Sequence, residues 1–154
     1  LLRDYKEIEE IKTVIFELCE EVAKRTRENN LLGKTVSLGV IYSHEEIKGG
    51  FHRQRTLSEY TNLIFDIYEV CLKLLEENYE GEVVRKVYVS FGNFISGHSM
   101  QLNLFKDKIK KFKLAEVKDY IENKYGPESI FYAISLKEES VRERIVNNIG
   151  GHKK

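Results

Sequence analysis

The sequence predicts an α+β fold: a βαββαβ split sandwich in which a four-stranded antiparallel sheet carries two helices on one face, followed by a helical C-terminal tail. Three observations predict it. Two segments repeat apolar residues at helical spacing. The segments between and after them alternate apolar and polar residues as strands do. The alternation stops at residue 91, where the sequence turns small and polar.

Residues 1–5 read as the last part of a first strand. Residues 7–29 set Ile8, Ile11, Ile15, Leu18 and Val22 on one face, with Val14 and Cys19 widening the stripe. Glu9, Glu10, Glu17, Glu20, Glu21 and Lys24 take the other face, a spacing expected of a solvated helix surface, and Gly33 reads as the stop signal. Residues 34–43 alternate: Val36, Leu38, Val40 and Tyr42 against Thr35, Ser37 and Gly39. A polar loop with Gly49 and Gly50 leads into an unusually polar strand, residues 51–58. Residues 61–77 return to helical spacing with Ile64, Ile67, Cys71 and Leu74, flanked by Leu63, Tyr68 and Leu75, and Thr61 is placed to cap them. Gly81 ends this unit, and residues 83–91 form the last strand.

A chain of 154 residues with 42% hydrophobic and 32% charged residues has material for one domain core plus an appendage. No apolar run approaches the roughly 20 residues of a membrane span. Residues 1–5 are too short and too quickly charged for a signal peptide, so the expected location is cytoplasmic. The chain opens on Leu1 without an initiator Met and is read as a piece of a longer protein. Cys19 and Cys71 fall on the two apolar stripes and are expected to be buried thiols in a reducing compartment. His44, His52, His98 and His152 are scattered without ligand spacing, which argues against a metal centre in this chain.

The net charge is zero, from 25 basic and 25 acidic residues, so only the placement of the charges is informative. Acids dominate the helices. The charged residues predicted on the strands are Lys34, Arg53, Arg55, Arg85 and Lys86, with no acid among them. If the helices cover one face of the sheet, the other is open and basic, an electrostatic fit for a phosphate backbone. The same bases could instead guard strand edges against aggregation. For Arg85, an ion pair with a helix Glu is an equal alternative.

Residues 93–100 read as a linker, dividing residues 1–92 from a tail at 101–154. The tail opens with Gln101, Leu102, Asn103, Leu104 and Phe105. It continues Lys-rich over 106–125 and helical from at least Leu114, until Gly126 and Pro127 stop it. A short apolar run at 130–136 and a last helix over 140–148 complete it. Its few apolar positions predict a loosely attached tail.

At this point the residues resemble a known family. The run LCEEVAKRTRENNLLGKTVSLGVIY, residues 18–42, is similar to the start of the little-finger (polymerase-associated) domain of Y-family DNA polymerases. FHRQRTL with Thr61 and Asn62, and then VRKVYVSFGNF, continue the likeness in order. QLNLF is similar to the motif by which bacterial polymerases dock on the β sliding clamp, with Asn103 where Ser or Asp is commoner. RERIVNNIGGHKK resembles the tail of the impB/mucB/samB group of UV-damage repair proteins.

The resemblance implies the DNA-backbone-binding and clamp-docking end of an error-prone translesion polymerase of the SOS response to DNA damage. Its expected partners are primer-template DNA, gripped without sequence preference, and the β clamp. The expected DNA contacts are Arg53, Gln54, Arg55 and Thr56, supported by Lys34, Thr35, Ser37, Lys86 and Ser90. The expected clamp contacts are Gln101, Leu102, Asn103, Leu104 and Phe105, although Leu102, Leu104 and Phe105 could instead begin a small core of the tail. The paired carboxylates that hold Mg2+ for nucleotidyl transfer belong to a palm domain not present here, so these residues are expected to be inactive alone and to need no cofactor. Two other readings stay open: a free-standing nucleic-acid-binding or protein-interaction module of split βαβ fold, and a small metal-assisted hydrolase using His44, His52 or His98.

Overall fold

The computed structural model describes residues 4–43, 49–100, 106–137, 140, 148–149 and 152–153. The element order is α1 (Ile8–Glu28), β1 (Leu31–Tyr42), β2 (Gly50–Thr61), α2 (Ile64–Asn78), β3 (Val84–Gly92), β4 (Ile95–Ser96), α3 (Lys106–Tyr125), β5 (Asn148–Ile149) and β6 (His152–Lys153). Short 3-10 turns occupy Gly97–Met100 and Ala133–Leu136.

The sheet is antiparallel, with β1 in the middle between β2 and β3. Tyr5 adds beyond β3: its backbone exchanges both hydrogen bonds with Val84, at 2.9 and 2.8 Å. That bridge stands where the sequence puts the end of a first strand. β4 pairs with Leu31 and Leu32 of β1 in the same register as β3. It therefore prolongs the edge of β3 after a kink at Asn93, whose φ is 57°. Residues 95–96 thus belong to the sheet rather than to a free linker.

Both helices lie on one face. Val36, Leu38 and Val40 of β1 are fully buried beneath Ile11, Ile15 and Cys19 of α1 and Ile67, Cys71 and Leu75 of α2. The period of two in β1 and the period of 3.6 in the helices converge on this single core. The N-cap of α2 is Leu63, not Thr61, and it has no capping side chain; Thr61 braces the entry to the helix from two positions earlier. Its hydroxyl accepts from the Leu63 N–H at 3.1 Å and donates to Asp66 in the first turn at 2.5 Å. Gly33 does not end α1. Asn30 does, at φ 49°, and Gly33 lies inside β1, where a Cβ would come within 2.7 Å of the Phe91 ring.

Cys19 and Cys71 are free thiols that meet across the α1–α2 contact, sulfur to sulfur at 3.7 Å. Burial, reinforced by Cys71, pushes the Cys19 thiol well up from its ordinary range. The thiolate is the reactive form. Because both sulfurs are also shut off from solvent, iodoacetamide at neutral pH is expected to spare the two thiols in the native protein and label both in denaturant. Rapid labelling of the native protein would show that the α1–α2 contact opens.

The described part of the tail is docked, not loose. α3 lies against α1, and charge holds it there. Arg27 forks onto Asp119 at 2.6 and 2.9 Å, Lys24 meets Glu122 at 2.8 Å, and Lys118 bridges Glu20 and Glu122 at 2.5 and 2.6 Å. Further on, Tyr132 packs edge-on against Phe16 and Phe65, and Ser140 donates to Glu17. Glu17 and Glu20 are consequently buried, against the expectation of a solvated α1 surface. The usual amphipathic arrangement is inverted in α3, which turns charges inward and leaves Leu114, Val117, Tyr120 and Tyr125 exposed. Of the last predicted helix, residues 141–147 lie outside the described residues, and Asn148 opens a strand paired with β6 instead.

Candidate nucleic-acid interface

α1 and α2 pack on one side of the sheet, and among the described residues nothing covers the other. Register decides which side chains stand on it. Directly opposed residues in an antiparallel pair share a face. Thr35, Ser37, Gly39 and Ile41 of β1 alternate with the buried Val36, Leu38 and Val40. Opposite them on β2 are Thr56, Gln54, His52 and Gly50. Opposite them on β3 are Gly92, Ser90, Tyr88 and Lys86. The open face is thus a field of hydroxyl, amide and imidazole groups with one ammonium, and these paired positions carry no carboxylate.

This arrangement corrects the simplest picture of a basic face. Arg53 and Arg55 stand opposite Leu38 and Val36, on the helix-facing side of the pleat. They stay exposed only because β2 is an edge strand. Arg55 spends its guanidinium on Glu77 of α2, with both oxygens within 3.0 Å. Arg85 pairs with Asp4 and Ser43 rather than with a helix glutamate, and it holds the Asp4 carboxyl below its ordinary range. Lys34 lies with its ammonium 5.2 Å from the Tyr60 ring centroid. β2 also runs on past the predicted strand and brings in Glu59, which pairs with Lys108 of α3.

Arg53, Lys34 and Lys86 remain without a carboxylate partner among the described residues. Lys86 is on the open face, and the other two line the β2 side. Between them the face offers Thr35 and Thr56, whose hydroxyl oxygens are 3.4 Å apart, then Gln54, Ser90 and the mostly buried Ser37. His52 and Tyr88, which composition did not single out, stand at its centre. Their signal was parity: both fall on the same alternating positions as Gln54 and Ser90. Residues 101–105 lie outside the described residues, as does His44. His98 faces Asn30, with ring and amide nitrogens 2.9 Å apart, far along the chain from His52. No group of three or more His, Cys, Asp or Glu side chains converges into a metal-ion site among the described residues.

The stretch of sequence that builds this sheet and its two helices is also the stretch that a known family matches. Residues 1–104 fit the impB/mucB/samB family C-terminal domain. The chain belongs to this family.

Its relatives extend the match through the tail. This impB/mucB/samB chain is 44% identical over 154 residues to UvrX of Bacillus subtilis (strain 168), a protein named for UV-damage repair. It is 37% identical over 154 residues to DNA polymerase IV 2 of Halalkalibacterium halodurans, and 38% identical over 155 residues to DNA polymerase IV 2 of Bacillus subtilis. These alignments take in 99–100% of the present chain but only 37–38% of each relative. The chain therefore spans well under half the length of the proteins it is similar to. No helix among the described residues is long and apolar enough to cross a membrane.

Proposed function

We propose that this impB/mucB/samB domain is the DNA-gripping and clamp-docking region of an error-prone, Y-family translesion polymerase acting in cytoplasmic DNA damage repair and the SOS response. The observation that carries the reading is the open sheet face. Its paired positions are free of carboxylates and rich in hydroxyl and amide donors, and Arg53, Lys34 and Lys86 stand on or beside it with no carboxylate partner among the described residues. Such groups fix a duplex through its phosphates and sugars and carry little sequence information. That suits an enzyme that must accept any damaged template. The names of the relatives, DNA polymerase IV and a UV-damage repair protein, support the same reading.

In this reading Gln54, Thr56, Thr35, Ser37 and Ser90 donate to or accept from the backbone, and Lys86 and Arg53 supply charge. Arg55 contributes less, because Glu77 already neutralises it. Residues 101–105 dock on the β sliding clamp. Mg2+ and the chemistry of nucleotide addition belong to a palm domain of the parent enzyme, and no catalytic step is assigned to the described residues.

The test is a salt titration of DNA binding by the whole chain. Arg53→Ala with Lys86→Ala is expected to weaken binding equally for all duplex sequences. It should also flatten the slope of log K against log salt by about 0.9 for each phosphate that is no longer neutralised. Arg55→Ala should change the slope little. An unchanged slope in the double variant would place the grip elsewhere, for instance on the lysines of residues 106–113.

A further inference from the structure

The centre of the open face is aromatic. Gly39, midway along β1, has His52 opposite it on β2 and Tyr88 opposite it on β3. A Cβ on Gly39 would lie 3.3 Å from Cδ2 of His52 and 3.6 Å from Cδ2 of Tyr88. Both rings therefore lean inward across the glycine and bury it, although it stands on the uncovered side of the sheet. Tyr88 nevertheless keeps 52% of its surface exposed. A ring that lies across a strand and still faces solvent offers a flat surface. Thr35, Ser37, Gln54 and Ser90 surround it with hydrogen-bonding groups, Lys86 is the next outward residue on β3, and no carboxylate intervenes.

The chemistry that fits a flat ring amid phosphate-binding groups is an unpaired nucleobase. Aromatic residues on an open split-βαβ sheet stack bases, and stacking tolerates every base because each has a π face. A duplex cannot use the ring in this way, since its base faces are already stacked. We infer that Tyr88, folded over Gly39 across from His52, is a stacking platform for an unpaired base, so that this face binds single-stranded DNA as well as duplex. The inference rests on the DNA-binding reading above and adds a strand preference that backbone contacts alone do not give.

The whole chain is titrated with three probes of equal length: oligothymidylate, the same backbone with abasic sites, and a blunt duplex. Wild type is expected to bind oligothymidylate more tightly than the abasic strand. Tyr88→Ala should lose on the order of tenfold on oligothymidylate and less than twofold on duplex, while Tyr88→Phe keeps the wild-type values. The chain contains no Trp, so Tyr88→Trp supplies a single reporter whose fluorescence should be quenched by oligothymidylate and not by the abasic strand.

Equal losses on single strand and duplex, or a Tyr88→Phe variant as weak as Tyr88→Ala, would overturn the platform and leave the hydroxyl as a phosphate contact. A lowered melting temperature with unchanged oligothymidylate affinity would make Tyr88 a cover for Gly39 only. If wild type binds neither form, the DNA-binding reading itself fails. If it binds duplex but does not distinguish oligothymidylate from the abasic strand, only the platform does.

Discussion

Asp119→Ala is expected to release α3 from the domain while leaving the sheet and its two helices folded. Asp119 takes two hydrogen bonds from Arg27, whose remaining amino group donates to the Asn62 carbonyl at 2.7 Å. The two side chains are only 9% and 11% exposed. Removing one partner of such a buried pair strands the other charge, which typically costs about 3–5 kcal/mol. Here the molecule has a way out. If α3 lifts off, Arg27 rehydrates, so the loss is capped at the free energy of docking.

The expected readout is therefore local: amide-exchange protection disappears over residues 106–125, and the main melting transition barely moves. Persistent protection of α3 in the variant would show that Tyr132 and its aromatic contacts hold the tail without the ion pairs. Acid should mimic the substitution. Burial alone would raise the Glu122 carboxyl, but the hydrogen bonds from Lys118 and Lys24 outweigh it and hold it below its ordinary 4.5. Burial would likewise lower the Lys118 ammonium, and Glu122 and Glu20 outweigh that and hold it above 10.5. A depressed carboxyl stabilises above its unfolded pKa and loses the contribution as pH falls through the folded value. A raised ammonium stabilises below its unfolded pKa and loses it as pH rises. The contribution of these groups to docking should thus be complete between about pH 4.5 and 10.5 and fade progressively beyond it, as pH passes the shifted values.

Leu104→Ala with Phe105→Ala is expected to reduce affinity for the β sliding clamp at least tenfold and leave DNA affinity unchanged. Two apolar anchors of this size are worth roughly 3–6 kcal/mol when fully buried, before ordering costs are subtracted. Losing even about 1.4 kcal/mol of that is a factor of ten. The converse should also hold: Arg53→Ala with Lys86→Ala keeps clamp affinity while weakening DNA. Titrating purified clamp against each variant, beside its melting curve, separates loss of an anchor from loss of the fold. Failure of the folded wild-type chain to bind the clamp would leave Leu104 and Phe105 as packing residues.

Much of the fold was legible because burial writes a period into the sequence. Val36, Leu38 and Val40 alternate without exception, and Ile11, Ile15 and Cys19 keep one helical face. The face of each strand residue was legible too, though net charge is the wrong place to look for it. On β2, Phe51 and Leu57 are the residues packed toward the core, and Arg53 and Arg55 share their parity. Reading that strand by alternation instead of by charge assigns His52, Gln54 and Thr56 to the open face. The arrest at Asn30 and the docking of α3 were harder to read. Ion pairs such as Arg27 with Asp119, 92 residues apart, leave no periodic trace, and a helix that docks by its charges looks solvated on all sides.

The docked α3 also fixes the point at which the chain resumes after residue 105. The backbone at Met100 belongs to a turn that follows β4 on the sheet, and Lys106 begins a helix clasped to α1. The six steps between those two points reach at most about 22 Å. A partner bound to this segment is therefore held from both ends, like a hand on a bracket rather than on a rope. Both of those anchor points keep their places relative to the open sheet face for as long as the ion pairs last. Freeing α3 would turn the bracket into a leash, trading orientation for reach.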